Sequence, residues 1–345
     1  MSAGLKINHP DGTSFIFNEN SCPAYIVWSG NFNMIPQGEF VVPRRIPEGY
    51  EFCVISNQLG QLTYRVSGSQ WEVAGSEMLS TWLNADRNPV LTWGGRVFPE
   101  CYLHIIAWPT PAVSTGRYGL KVQGGNSIFA SLNDTSILSY LLYKGEVDIY
   151  RGWKPNHIRA DFNIDNVSCF FYTEDSDKII KYENTATWNP ATEWGKADYV
   201  YNVYSRASNW DSSVRAKVCV FGPLNMQQAT ANKRYGLRIR NRNGEITFND
   251  GIGILANPKA VYLPDKGIDV PFSIDGIRRP MYMPCGVGSG YADRTRYRFG
   301  INTLGSMVQV TRNEAIWYEA SHGGLSNFVS PYPMLFIDSA DYFNF

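Results

Sequence analysis

The sequence predicts an all-β protein of three tandem, related, β-sandwich-like domains, each opening with a β-hairpin. Three observations predict it. One opening motif occurs three times, at Gly4, Gly119 and Gly236. A cysteine follows each glycine by 49 or 50 residues, at Cys53, Cys169 and Cys285. An apolar run begins 97 to 99 residues after each glycine, over 101–106, 218–221 and 334–337. Three landmarks in one register over the whole chain mark a triplication.

The opening motif reads as a hairpin in each copy. Leu5 and Ile7 alternate with Lys6 and Asn8, as a half-buried strand requires. Asp11-Gly12, Gly124-Gly125 and Asn243-Gly244 supply the positive φ angles of tight turns. Return strands then carry Phe15 and Phe17, Ile128 and Phe129, or Ile246 and Phe248. Alternation recurs over 62–66 and 199–204, whereas 73–83 could form one short helix. Polar and turn-forming residues gather at 109–116 and 222–233. The domains therefore span 1–111, 118–224 and 235–345.

Composition narrows the function. The chain has 345 residues, 44% hydrophobic and 18% charged, enough for several cores. Lys plus Arg equals Asp plus Glu, 31 each, so nucleic acid is not an expected partner. No apolar run reaches the roughly 18 residues of a membrane helix, and no membrane insertion is expected. The first residues lack an apolar signal core, so synthesis in a cytoplasm is expected.

The six cysteines lie in apolar, strand-like settings and read as reduced core residues. Pairs Cys53–Cys101 and Cys169–Cys219 are the alternative. No Cys-x-x-Cys exists, and His9, His104, His157 and His322 are scattered, so no metal site is expected. Nucleophile-elbow, Walker and dinucleotide motifs are absent. The glycine run 286–290 lacks a following Lys and reads as a loop after a strand. The acidic cluster Glu174-Asp175-Ser176-Asp177 occurs in one repeat and reads as a solvated turn. The three copies share no titratable constellation, so no catalytic or cofactor-binding residue is expected. Lys6, Lys121 and Arg238 are the recurring charges, each read as one outward strand charge.

Aromatic residues make up 14% of the chain. Trp71 and Trp188 fall 67 and 69 residues after their glycines and read as equivalent core positions. Trp28, Trp82, Trp93, Trp108, Trp153, Trp194 and Trp210 show no counterparts and are the candidates for subunit or sugar contacts. The aromatic end 342–345 is expected to be packed.

The stretch Gly4-Leu5-Lys6-Ile7-Asn8-His9-Pro10-Asp11-Gly12, echoed at 118–122 and 235–239, resembles the N-terminal signature of tail-associated proteins of long-tailed bacteriophages. The resemblance covers the motif alone, and this chain carries it three times. It implies a virion component of the tail tip or a tail fibre and supplies no catalytic residues. Expected partners are further copies of the chain (a trimer among the options), other tail proteins, and a host surface glycan or receptor. A carbohydrate-binding array and a virion polysaccharide-degrading enzyme are the alternatives.

Overall fold

In the computed structural model the residues described are 4–8, 14–18, 23–33, 39–56, 60–67, 70–95, 100–109, 119–124, 127–133, 138–184, 188–189, 193–194, 199–206, 213–223, 238–240, 246–249, 253–264, 268–292, 295–317, 326–330 and 332–345. They are almost entirely β, in antiparallel sheets. The first repeat holds β1 (Gly4–Asn8), β2 (Ser14–Asn18), β3 (Tyr25–Asn33), β4 (Glu39–Val41), β5 (Tyr50–Ser56), β6 (Gly60–Ser67), β7 (Gln70–Leu83), β8 (Pro89–Gly95) and β9 (Glu100–Pro109). The second holds β10 (Gly119–Gly124), β11 (Ser127–Asn133), β12 (Tyr140–Tyr150), β13 (Ser168–Tyr172), β14 (Lys178–Asn184), β15 (Trp188–Asn189), β16 (Glu193–Trp194), β17 (Tyr199–Ser205) and β18 (Ser213–Gly222). The third holds β19 (Arg238–Arg240), β20 (Ile246–Asn249), β21 (Lys259–Val261), β22 (Pro271–Ser273), β23 (Pro280–Tyr282), β24 (Gly288–Ala292), β25 (Thr295–Leu304), β26 (Met307–Trp317), β27 (Ser326–Val329) and β28 (Met334–Asp338).

All three openings are antiparallel hairpins: β1–β2, β10–β11 and β19–β20. Each repeat then builds the same three-stranded unit with its closing strand in the middle. The orders are β3-β9-β5, β12-β18-β13 and β21-β28-β23. The second and third units join edge to edge where Phe171 faces Tyr282, which makes one six-stranded sheet. The first unit meets the third through the Gly286 amide, which donates to the Ser56 carbonyl at 2.7 Å.

A ring of backbone hydrogen bonds ties the repeats together. The Ala24 amide donates to Leu255 (2.9 Å), the Leu255 amide to Ser139 (2.8 Å) and the Ser139 amide to Ala24 (3.2 Å). These residues follow the opening glycines by 20, 19 and 20 positions, so equivalent residues close a cycle. The ring defines a pseudo-threefold axis. Its members are buried, at 0%, 0% and 3% exposure for Ala24, Leu255 and Ser139.

Alternation along the central strands explains why their sequences read as continuous apolar runs. On β18, Cys219 and Phe221 enter a central core, and Val218 and Val220 enter the core of the second repeat. On β13, Phe170 and Tyr172 face the central core, and Cys169 and Phe171 the other side. On β5, Cys53 and Ile55 face the central core, and Val54 the core of the first repeat. Strands buried on both faces lose the polar half of the alternating pattern. The central core draws residues from all three repeats, from Ala24 through Phe221 to Ile337.

Several sequence expectations change. The segment 73–83 is strand, not helix, because β7 pairs with β6 on one edge and β8 on the other, and ladder pairing overrides its helix-forming residues. The glycine run 286–290 is a loop only through Val287, since β24 begins at Gly288. The third hairpin is slid by two residues: Asn249 pairs with Arg238, whereas Asn18 and Asn133 pair with Gly4 and Gly119. Cys285 lies beyond β23, where Tyr282 takes the ladder position opposite Phe336. The linkers 110–116 and 224–233 lie outside the described residues.

The second and third repeats meet tightly at Gly300 on β25, where a Cβ would collide with Cγ2 of Ile179 on β14. Gly300→Ala is expected to destabilise the protein by about 1–3 kcal/mol, since a β-branched neighbour cannot swing away. Combined with Ile179→Ala it should cost less than the sum of the two single changes. Urea titration of the four species measures this coupling, and strict additivity would contradict the contact.

Candidate interaction surfaces around the pseudo-threefold axis

The three hairpins are held at equal distances along the chain from the ring. Asn18, Asn133 and Asn249 end them, and each ring residue follows six positions later. Six residues span at most about 20 Å, so every hairpin stays near the axis. Among the described residues β2 lies against β11, and Ile239 of the third hairpin is buried. The sequence carried a further mark of this arrangement. Asn18-Glu19, Asn133-Asp134 and Asn249-Asp250 repeat an asparagine–acid pair at the hairpin ends.

The candidate tryptophans divide. Trp153 is 1% exposed and sits in the second core against Phe171 and Tyr201, with ring centroids 5.8 and 5.6 Å away. It is a core residue, which corrects its reading as a contact aromatic. Trp28 does have a counterpart, because Tyr143 stands, like it, 24 residues after its opening glycine and directly after the same ladder irregularity. Both rings cover a glycine two positions on: Trp28 over Gly30 and Tyr143 over Gly145. This is a repeated structural device in which an aromatic ring shields a strand glycine. Trp108 is half-buried against the central core. Trp93 and Trp194 lie on β8 and β16, and Trp194 pairs with Trp188 in the ladder. The side chains of these residues and of Trp71 lie outside the described set, as does all of Trp210.

Among the described candidate side chains Trp82 is the most exposed, at 38%. It lies in one cross-strand row with Val90 and Val41 over β7, β8 and β4. The next row on that face holds Ser80, Thr92 and Glu39, with the Ser80 and Thr92 hydroxyls 2.7 Å apart. Within that row Trp82 and Val41 are exposed and Val90 between them is buried, and the polar row runs alongside. The opposite face sends Leu91 into the first core.

A different surface, wholly internal, joins the β14–β17 hairpin to the β25–β26 hairpin. Each turns an apolar face to its own core: Ile180, Tyr182, Tyr201 and Val203 on one, and Phe299, Ile301, Val308 and Val310 on the other. Their polar faces meet. The Glu183 carboxylate lies 3.2 Å from the Lys181 ammonium and accepts from Asn202 Nδ2 (2.8 Å), Tyr204 (2.5 Å) and Arg298 (3.3 Å). Burial alone would raise its pKa. Lys181, then Arg298, with the bonds from Asn202 and Tyr204, outweigh burial and lower it to about 2. Nearby, Asn302 Nδ2 donates to the Ser176 carbonyl, and Arg206 bonds Thr311 and Asp269. The acidic turn 174–177 is therefore docked on the third repeat as well as solvated.

His104 Nδ1 and Ser29 Oγ lie 2.7 Å apart as a cross-strand pair, with the imidazole tilted against Tyr102 and Tyr182. Burial lowers the His104 pKa to about 3, so the ring is neutral. A cleft of about 370 Å³ is lined by Glu146, Glu174, Asp175, Arg215 and Lys217, among others. Lys217, at 2.7 Å, and Arg215 hold the Glu146 pKa below its usual value, the opposite of what a proton-donating glycosidase carboxyl needs. The Asp341 carboxyl is shifted upward, to about 6, by burial and by Asp338 beside it. It belongs to the turn that Asp338 caps, not to the cleft.

The cysteines Cys53, Cys169, Cys219 and Cys285 are free and buried, and burial pushes the Cys169 and Cys285 thiols up to about 12. The alternative pairings fail on geometry. Cys53 faces Ile106, five residues along β9 from Cys101, which is about 16 Å and far beyond disulfide reach. Cys169 and Cys219 point to opposite faces of their sheet. No three His, Cys, Asp or Glu side chains among the described residues gather as a metal site would need. Among the described residues no helix is long and apolar enough to cross a membrane.

Compared with protein families, with curated proteins and with solved structures, the chain matches none.

Three groups shape the response to acid: His104 and Glu183 lose stability as pH falls, while Asp341, raised to about 6, gains it between pH 6 and its ordinary 3.8. His104 has a folded pKa below the unfolded 6.5, so its contribution is present above pH 6.5 and is lost as pH falls toward 3. From pH 6.5 to 5 the loss should be about 2 kcal/mol. Glu183 adds a second loss from its ordinary 4.5 down to about 2. His104→Gln should remove the loss between pH 6.5 and 5, leaving the opposite Asp341 slope there and the Glu183 loss below 4.5. Denaturant midpoints measured across pH for both proteins check the assignment.

Proposed function

We propose that the chain is a non-enzymatic structural protein of a bacteriophage tail, at the tip or in a fibre, serving tail assembly and host adsorption. The opening signature at Gly4, Gly119 and Gly236 suggests the setting, and the hydrogen-bonded ring supports it. Tail parts commonly reach cyclic symmetry by oligomerising. Here one chain folds its three repeats about a single axis, so no further copy is needed to build a threefold body. The partners in this reading are other tail proteins and a host surface glycan or receptor. Electron microscopy of virions labelled with an antibody against the chain should show label on the tail, and unlabelled tails would remove the proposal.

The face around Trp82 favours a second reading, carbohydrate binding. A pyranose has an apolar C–H face and a rim of hydroxyls, which match the exposed Trp82 and the adjoining row Glu39–Thr92–Ser80. A glycan array probed with the soluble protein should give hits that Trp82→Ala weakens at least tenfold without lowering the melting temperature. An array with no hits, or hits indifferent to that change, would reject this reading.

A further inference from the structure

We infer that Lys181 and Asn202 join in an intramolecular isopeptide bond between β14 and β17, with loss of ammonia and with Glu183 carrying the protons. Such a bond goes beyond the tail and sugar readings and depends on neither.

The ladder brings the two side chains together. Lys181 stands directly opposite Asn202 on the antiparallel pair β14–β17. Directly opposed residues share a face and lie about 4.5–5.5 Å apart at Cα, close enough for a lysine stem to reach the amide carbon. Glu183 follows two positions along β14, on that same face. Its carboxylate touches both reactants. One oxygen lies 3.2 Å from Lys181 Nζ, and the other accepts from Asn202 Nδ2 at 2.8 Å. Lys181 and Asn202 are both buried, and the ammonium lies 5.2 Å from the centroid of the Tyr204 ring.

The amide is oriented for attack at its carbon. The Gly152 amide donates to Asn202 Oδ1 at 2.9 Å. That donor is fixed, because the next residue, Trp153, exchanges backbone hydrogen bonds of 3.0 and 2.8 Å with Tyr201, beside Asn202 on β17. A fixed N–H on the carbonyl oxygen stabilises the oxyanion that forms when the carbon is attacked. With Oδ1 on Gly152, Nδ2 is left facing Glu183, the group that protonates it as it leaves.

The step balances without any further reagent. Glu183 takes a proton from the Lys181 ammonium and frees its lone pair. That pair forms the Nζ–Cγ bond, and the carbonyl π pair moves onto Oδ1. Glu183 passes its proton to Nδ2. The pair on Oδ1 then re-forms the C=O bond, the Cγ–Nδ2 bond breaks toward nitrogen, and ammonia departs. The surplus proton on Nζ follows through the carboxylate, so an ammonium and a primary amide become a secondary amide and an ammonium ion. Lys181 and Arg298 keep the carboxylate ionised and therefore able to accept, but also weakly basic. The bond therefore forms slowly, and faster as rising pH strips the amine of its proton.

Mass spectrometry of the purified full chain tests this. The expected intact mass is lower than the sequence mass by one ammonia, and digestion should release a branched peptide joining the segments that carry Lys181 and Asn202. Full mass after prolonged incubation at mildly alkaline pH would overturn the inference and leave the tail reading intact. Ammonia lost without a branched peptide would overturn it too. Lys181→Arg keeps a cation beside Glu183 but removes the nucleophilic amine, so that variant should fold by circular dichroism and retain its full mass. Ammonia loss that persists in the Arg variant would count against the assignment, and the natural chain decides the matter whether or not the variant folds.

Discussion

Three backbone hydrogen bonds, from Ala24 to Leu255 to Ser139 and back, are the constraint around which the rest of the structure is arranged. Each is worth only about 0.5–1.5 kcal/mol net, but leaving one of these buried groups unpaired would cost about 1–3 kcal/mol. The ring therefore acts less as glue than as a fixed geometry. It requires each repeat to bring its first body strand to the axis at the same chain position. Once that is so, the central strands of the first two repeats have one face toward a shared interior and one toward a local core, while β28 of the third lies in the shared interior on both. Tyr342 reinforces the arrangement, since its hydroxyl donates to Ile254 and accepts from the Ala256 amide, on either side of ring residue Leu255.

The contacts between repeats are not alike. The first repeat reaches the second through Tyr102, which enters an aromatic cluster with Tyr182 and Tyr199 and donates to Asp165. The second and third repeats instead meet through charged and amide side chains around Glu183. A buried carboxylate survives there because Lys181, Arg298, Asn202 and Tyr204 surround it; removal of any one partner leaves charge without compensation. The pseudo-symmetry thus belongs to the backbone, and the side chains have diverged over it.

Much of this was legible beforehand. The glycine spacing located all three hairpins, and the apolar runs located all three closing strands. Trp28 and Tyr143 show what pattern reading misses. They occupy one position, but a search for repeated tryptophans cannot equate Trp with Tyr, and only the shared bulge and the shielded glycines Gly30 and Gly145 reveal the match. Trp153 was misread for a related reason: an unmatched tryptophan looks the same in sequence whether a core or solvent lies beside it. The strand β7 was ambiguous because its composition suits a helix, and its two ladder partners lie elsewhere in the chain.

By itself the sequence determined the all-β class, the threefold repetition and the places where chain reversals occur. These depend on local rules, namely residue alternation and the positive φ that glycine, aspartate and asparagine allow in turns. Only the tertiary structure decided that the repeats share one core around an axis, which strands are buried on both faces, and that Trp82 is exposed while Trp153 is not. Those facts depend on which segments meet across more than a hundred residues, and no spacing within one repeat encodes the neighbour it will be pressed against.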